Sequence, residues 1–148
     1  MKSRLLVVIL LIFGITGASA KNYIAAVGGT SAGAGTLASP YDIATALSKT
    51  AVGDTVYVRG GQYIYNSSLT FGKSGNSTAF INIWAYPNET PVLDFRNQPY
   101  NSNNAGVKLT GSYLFVKGIT IQGAGDNGMY VTGSNNRIEK CIFRWNCD

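Results

Sequence analysis

The feature that most constrains the fold is an internal repeat near the C-terminal end of the sequence. The segment GVKLTGSYLFVKGITIQGAGD (106–126) aligns without a gap with GMYVTGSNNRIEKCIFRWNCD (128–148), at an offset of 22 residues. Gly, Thr, Gly and Ser recur at the same places, and both copies end on Asp, at Asp126 and Asp148. Self-similarity at a fixed period of this length is typical of solenoids.

Each copy contains two or three short β-branched segments and no helical pattern. One such unit cannot bury its apolar face alone, whereas coils stacked at the ordinary inter-strand spacing of about 4.8 Å can. We therefore predict an all-β fold, a parallel β-helix with coils of about 22 residues. The expected inward rungs are Val107/Met129, Leu109/Val131, Val116/Ile138, Ile119/Cys141 and Ile121/Phe143.

Two further expectations follow from the alignment of the copies. Lys117 falls over Glu139, which predicts a cross-strand charge pair on the outer surface. The corners contain Gly111 and Gly133, and we expect a positive φ at both because glycine adopts it without steric cost.

The segment SPYDIATALSKT (39–50) is the only helical pattern we find. Ser39 is the expected N-cap, Pro40 the first helical residue, and Asp42 the partner in a capping-box-like pair. Ile43, Ala46 and Leu47 form an apolar stripe at helical spacing. We predict that this short helix follows a strand over 22–27 and closes the N-terminal end of the stack.

The N-terminus has the pattern of a signal peptide. Lys2 and Arg4 precede an apolar run over 5–15, and Ala18-Ser19-Ala20 is the small-x-small pattern of a cleavage site. We predict a signal peptide over 1–20 cut after Ala20, an exported protein with no membrane segment after removal, and one domain over 21–148.

Composition excludes several classes of function. The chain has no His, which excludes a His-based triad or zinc site within it. The net charge of +5 falls to about +3 without the signal peptide, which suits an acidic partner, and no basic cluster predicts nucleic-acid binding. Two Cys in an exported protein suggest a disulfide. The inward register of Cys141 argues against a bridge to Cys147.

Two stretches carry a family resemblance. GTLASPYDIATALSKTAVGDTVYVRGGQY (35–63) resembles the opening of many secreted right-handed β-helix proteins that act on polysaccharides. INIWAYPNETPVLDF (81–95), followed by the two repeat copies, is similar to the N-terminal part of pectate lyases of polysaccharide lyase family 9.

The resemblance implies a secreted, monomeric lyase that cleaves polygalacturonate by Ca²⁺-assisted β-elimination. In that family a Ca²⁺-binding Asp closes an N-x-D segment, which Asn146-Cys147-Asp148 matches, so Asp148 is the candidate metal ligand. The other ligands and the catalytic Lys are expected beyond Asp148. We interpret the chain as the N-terminal part of such a β-helix, without its catalytic coils and inactive alone.

Each candidate residue also has a purely structural interpretation. Asp148 and Asp126 could both be turn residues, and Asp54 and Asp94 are expected at turns or strand ends. We expect Lys108, Lys117 and Lys140 to be outward and solvated rather than catalytic. A sugar groove could be lined by Trp84, Tyr130 and Trp145, with Arg144 binding an anionic substrate. We expect the structural alternative, in which the aromatic residues stack on neighbouring coils and Arg144 is a solvated ladder residue.

Two other functions fit the same scaffold. One is a non-catalytic surface or carbohydrate-binding β-helix, and the other is a lyase or hydrolase for a different acidic polysaccharide.

Overall fold

The computed structural model describes residues 19–147. Residues 1–18 of the predicted signal peptide, and Asp148, lie outside the described residues. Ala20, the predicted cleavage position, is exposed and lies just before the first strand. No helix within 19–147 is long and apolar enough to span a membrane.

Within residues 19–147, twelve strands form three parallel sheets, and from the second strand onward the chain adds strands to the three sheets in turn. Sheet 1 has the order β1-β2-β5-β8-β11, with strands Asn22–Ala25, Thr55–Val58, Ile81–Ala85, Leu114–Lys117 and Arg137–Glu139. Sheet 2 has the order β3-β6-β9-β12, with strands Gly61–Ile64, Pro91–Asp94, Thr120–Gln122 and Ile142–Arg144. Sheet 3 has the order β4-β7-β10, with strands Leu69–Phe71, Val107–Leu109 and Met129–Val131. This is the predicted parallel β-helix.

The 22-residue repeat is confirmed as one coil. Val107 pairs with Met129, Val116 with Ile138 and Ile121 with Phe143, each in parallel register at the predicted offset. Inward residues of successive coils stack into a continuous apolar core. The inward residues of the last coil are less covered: Ile138 and Phe143 are 41% and 44% exposed, whereas Val116 and Ile121 are at 0%.

The helix α1 spans Ile43–Lys49 and begins later than predicted. Asp42, not Ser39, is the N-cap, and its carboxylate accepts hydrogen bonds from the backbone N–H and hydroxyl of Thr45 at 2.8 and 2.7 Å. Tyr41 cannot be helical because it extends sheet 1 beside β1, with its N–H donating to the carbonyl of Ile24. Ser39 instead caps the preceding loop by accepting from the N–H of Ala34.

The role predicted for the helix is confirmed. Its stripe of Ile43, Ala46 and Leu47 is buried, and α1 packs against β1, β2 and β4 at the N-terminal end of the stack. The strand before it is shorter than predicted and ends at Ala25.

The prediction of positive φ at Gly111 and Gly133 is wrong. The positive φ angles at these corners belong to Tyr113 and Asn135. Glycine is required for space: a Cβ on Gly133 would overlap the carbonyl of Gly111, and one on Gly111 would overlap the carbonyl of Lys73. Successive corners are thus in direct backbone contact.

The predicted charge pair is also wrong, although its register is right. Lys117 and Glu139 are cross-strand neighbours. Glu139 pairs with Arg137 on its own strand at 2.6 Å, while the ammonium of Lys117 lies 5.7 Å from the centre of the Trp84 ring. The aromatic ring of the neighbouring strand draws the lysine away from the carboxylate.

Candidate functional site

The candidate site lies on the edge of the β-helix where sheet 2 turns into sheet 3. Three turns form this edge: a long loop over 95–106, a short turn over 123–128, and residues 145–147 of the last described coil. The long loop makes a wall beside a groove of about 310 Å³. The groove is lined by Asp94, Arg96, Gln98, Gln122, Trp145 and Cys147, among others.

A polar ladder runs across three coils at this edge, and two of its members, Asp94 and Gln122, line the groove. Asp94 pairs with Gln122, and Gln122 with Arg144, at the last residues of β6, β9 and β12. These positions alternate with the inward core residues and therefore point away from the core. Arg144 Nε donates to Gln122 Oε1, and Gln122 Nε2 donates to Asp94 Oδ2, both at 2.8 Å. The guanidinium and the carboxylate together fix the orientation of the amide between them.

Asp94 is fully buried at the inner end of the ladder. Burial alone would raise the pKa of its carboxyl group, but the opposing hydrogen bonds from Arg96, Gln122 and Gln62 are stronger together and hold the pKa well below its usual range. Arg96 donates to the Asp94 carboxylate both from its backbone N–H, at 3.0 Å, and from its guanidinium. Asp94 is therefore ionised at all ordinary pH values and has a structural role at a strand end, as predicted.

The outer end of the ladder carries groups that can contact a ligand. The Arg144 guanidinium lies 4.4 Å from the centre of the Trp145 ring, and Trp145 is 70% exposed. Within 19–147 no carboxylate pairs with Arg144, whereas Arg96 is neutralised by Asp94. An uncompensated cation beside an exposed aromatic ring suits a sugar that carries a carboxylate.

A second concavity lies on the sheet 3 side of the same edge. It has a volume of about 220 Å³ and brings together three predicted candidates, Lys108, Asp126 and Tyr130, with Asn103 and Asn127. Asp126 Oδ2 accepts a hydrogen bond from Asn127 Nδ2 at 3.2 Å. Asp126 thus occupies the turn between the two concavities.

The other predicted candidates lie elsewhere. Lys117, Lys140 and Trp84 line a groove beside sheet 1. Asp54 is buried near the N-terminal end and accepts hydrogen bonds from the backbone N–H groups of Lys21 and Ala51. It is the turn residue that the sequence predicts.

The described residues do not form a calcium site. Within 19–147 no three carboxylate or cysteine side chains come together, and Ca²⁺ requires about six to eight oxygen ligands. The oxygens of Asp94 are already occupied by donors of the protein. The candidate ligand Asp148 lies outside the described residues.

Both cysteines are free thiols. Cys141 packs against the core, and burial raises the pKa of its thiol. Cys147 is exposed at the mouth of the groove.

The sequence interpretation missed the ladder as a unit and did not single out Arg96 or Gln122. Gln122 and Arg144 occupy the same position in the two repeat copies, so the alignment alone could have predicted that these two residues are neighbours. Asp94 lies 28 residues before Gln122 because the long loop lengthens its coil, so a fixed period of 22 does not find it.

Comparison with known proteins agrees with this architecture. The model of the family "Pel9A-like, right handed beta helix region" matches residues 23–148. The chain belongs to this family. The Pel9A-like β-helix is right-handed, and the three parallel sheets described above are the sheets of such a helix.

The similar proteins carry one recurring description. Pectate lyase L of Paenibacillus polymyxa is 46% identical over 105 residues, which is 70% of this chain and 23% of that protein. Pectate lyase L of Dickeya chrysanthemi is 30% identical over 132 residues, or 84% of this chain and 31% of that protein. The chain thus spans less than a third of the length of these curated relatives.

Solved structures show the same fold. The crystal structure of pectate lyase Pel9A superposes with a TM-score of 0.75 at 29% identity, over 88% of this chain and 35% of that one. A rhamnogalacturonan lyase superposes with a TM-score of 0.60 at 22% identity, over 69% of this chain and 28% of that one. The second likeness concerns the fold alone.

Proposed function

We propose that residues 21–148 are the N-terminal part of the β-helix of an exported pectate lyase. The observation that carries this proposal is the match of nearly all the described coils to the Pel9A-like family and to relatives described as pectate lyase L. The incomplete cover over Ile138 and Phe143 supports further coils in the parent protein, because another coil would bury both side chains.

The edge between sheets 2 and 3 forms one end of the polysaccharide groove in this proposal. Arg144 binds a galacturonate carboxylate and Trp145 packs against the apolar face of a sugar ring. The Asp94–Gln122–Arg144 ladder has a positioning role: it holds Arg144 by its Nε and leaves the outer nitrogens for the ligand. Charged hydrogen bonds of this kind are stronger than neutral ones.

Calcium is the proposed cofactor of the parent, with Asp148 as one ligand. Residues 19–147 do not supply the rest of such a site. We place the remaining ligands and the lysine base of the β-elimination after Asp148. The proposed substrate is pectate, an acidic polysaccharide, and the proposed location is extracellular.

A chimaeric enzyme tests the proposal. Residues 21–148 replace the matching coils of the Paenibacillus polymyxa relative, and the later coils of that relative follow. We expect the chimaera to cleave polygalacturonate in the presence of Ca²⁺, read as the ultraviolet absorbance of unsaturated products. A folded chimaera without activity would count against the proposal, with circular dichroism as the control for folding.

The second candidate is a non-catalytic, carbohydrate-binding β-helix. The observation in its favour is that the carboxylates of Asp54 and Asp94 are both engaged in structural hydrogen bonds. The coding sequence after the Asp148 codon distinguishes the two: coils with clustered Asp and an outward Lys indicate the lyase, and coils without them indicate the binding protein.

A further inference from the structure

A groove of about 390 Å³ lies on the outer face of sheet 1, and neither the repeat nor the proposed function accounts for it. Tyr57 and Trp84 are cross-strand neighbours whose ring centroids are 6.1 Å apart, edge to face. Tyr86 adds a third ring, 6.0 Å from Tyr57. Lys117 and Lys140 complete the lining. We call this the sheet 1 groove.

One buried hydrogen-bond donor in the wall of the groove has no partner. Trp84 Nε1 is buried, and no acceptor among residues 19–147 forms a hydrogen bond with it. Buried N–H groups are nearly always paired, so this unpaired N–H in the wall of the groove is an exception.

The charges of the groove sum to an excess of cations. Glu89 is the one acidic residue in the lining, and it is neutralised by Arg59 at 2.7 Å and also accepts from the N–H of Gly60. Within the described chain no carboxylate pairs with Lys117 or Lys140. The groove therefore offers two uncompensated ammonium groups beside aromatic walls.

We propose that the sheet 1 groove binds a uronic-acid oligosaccharide. The two lysines contact carboxylates of the sugar, and the rings pack against its apolar C–H face, so that the sugar covers the wall that contains Trp84 Nε1. The identification of the sugar as galacturonate rests on the proposed function. The two ammonium groups and the aromatic walls do not depend on it.

The two tryptophans of the chain allow a direct test. Each gives one indole N–H signal in a proton–nitrogen NMR spectrum of the full ¹⁵N-labelled chain, and Trp84→Phe assigns them. We expect oligogalacturonate to move the Trp84 signal and the methyl-esterified oligomer to leave it in place. Lys117→Gln with Lys140→Gln should weaken this binding about tenfold. Lys49→Gln, which removes a lysine on α1, should not change it.

A Trp84 signal that stays in place, or that moves equally with the methyl-esterified oligomer, would overturn the proposal. So would a signal that moves with protein concentration alone, because the groove would then bind a second copy of the chain. The Trp145 signal reports separately on the groove at the edge between sheets 2 and 3. The two proposals can therefore fail independently.

A second inference concerns the new N-terminus that cleavage after Ala20 would create. Asp54 is 3% exposed, and within 19–147 no Lys or Arg side chain pairs with it. Its Oδ1 accepts a hydrogen bond of 2.7 Å from the backbone nitrogen of Lys21. That nitrogen is the one that hydrolysis of the Ala20–Lys21 bond would free.

We infer that cleavage converts this hydrogen bond into an ion pair whose carboxylate is buried. A signal peptidase adds water across the peptide bond: Ala20 leaves with a carboxylate, and the Lys21 nitrogen becomes an α-ammonium group at neutral pH. Asp54 then gains a cationic partner at the position where it already holds an N–H group. Charge-assisted hydrogen bonds are about twice as strong as neutral ones.

The test compares two chains that differ only at this end, one starting at Lys21 and the other retaining Ser19-Ala20. The core of the fold lies after Lys21 in both. We expect the shorter chain to have an equilibrium constant for unfolding about tenfold smaller at pH 7. This advantage should disappear above the pKa of the amine, and Asp54→Asn should abolish it. Equal stability of the two chains at pH 7, or an advantage that persists in Asp54→Asn, would refute the inference.

Discussion

The contact between successive corners makes Gly111 a position at which a single methyl group should strongly destabilise the fold. A Cβ on Gly111 would lie 2.8 Å from the carbonyl carbon of Lys73 and closer still to its oxygen. Overpacking of this kind costs about 1–3 kcal/mol. The corner also contains two hydrogen bonds, from Gly111 N–H to Phe71 at 3.0 Å and from Asn136 to the carbonyl of Gly111 at 2.9 Å.

We expect Gly111→Ala to lower the free energy of unfolding by about 3 kcal/mol, from overpacking and from weakening these two bonds at about 1 kcal/mol each. The matched control is Gly72→Ala in the same corner one coil earlier, where the nearest atom to a Cβ is at 3.4 Å, an ordinary contact. This control should be neutral or stabilise by up to about 1 kcal/mol, because alanine restricts the unfolded chain.

Urea denaturation followed by circular dichroism measures both variants. With a slope of about 1.5–2 kcal/mol/M, the midpoints of the two variants should differ by about 1.5–2 M. Gly111→Asn separates the two explanations of the glycine: asparagine tolerates a positive φ but would overlap the Lys73 carbonyl as alanine does. Equal midpoints for the two alanine variants, or rescue by asparagine, would refute the argument from close approach.

Three further predictions concern the buried carboxylate, the thiols and the activity of the chain alone. Asp94→Asn should lower the free energy of unfolding at pH 7 by about 2 kcal/mol in urea titrations. Folding lowers the pKa of Asp94, so the stabilisation that its carboxylate provides is present above the unfolded-state pKa of about 4 and is lost as the pH falls further. Below that pH, the free energy of unfolding of Asp94→Asn should therefore fall less than that of the unchanged chain. Equal decreases would contradict this. A maleimide reagent at pH 7 should modify exposed Cys147 faster than half-buried Cys141, as read by peptide mass spectrometry, and equal rates would contradict the described burial. The chain alone should release no unsaturated product from polygalacturonate with Ca²⁺, and a rise in ultraviolet absorbance in a clean preparation would show that a catalytic base lies within it.

The sequence correctly predicted those features of the fold that repeat at a constant spacing. The register of the last two coils and their inward residues follow from one alignment, because a parallel stack requires equivalent residues to lie above one another. The start of α1 did not follow, because the pairing of Tyr41 with β1 is a tertiary contact that overrides the cap expected at Ser39. The corner glycines were located correctly, but their physical reason involves an atom of Lys73 in an earlier coil.

The candidate site was only partly accessible from the sequence, for a related reason. Arg144 and Trp145 were identified as candidates; Trp145 lines the groove, and the guanidinium of Arg144 lies against its ring. Asp94 and Arg96 join them through a coil that the loop over 95–106 makes longer than 22 residues, so no constant spacing relates them to the repeat. Which outward residues meet in one groove depends on loop lengths that do not affect the core.

We propose that the edge between sheets 2 and 3 belongs to the metal- and substrate-binding groove of a pectate lyase. The most direct measurement is the Ca²⁺ dependence of polygalacturonate cleavage by the chimaera carrying Asp148→Asn, beside Asp126→Asn as the control in the same register one coil earlier. We predict that Asp148→Asn raises the Ca²⁺ concentration for half-maximal rate at least tenfold, because a ligand oxygen loses its charge, and that Asp126→Asn leaves it unchanged. Equal Ca²⁺ requirements in both variants and the parent chimaera would contradict the claim.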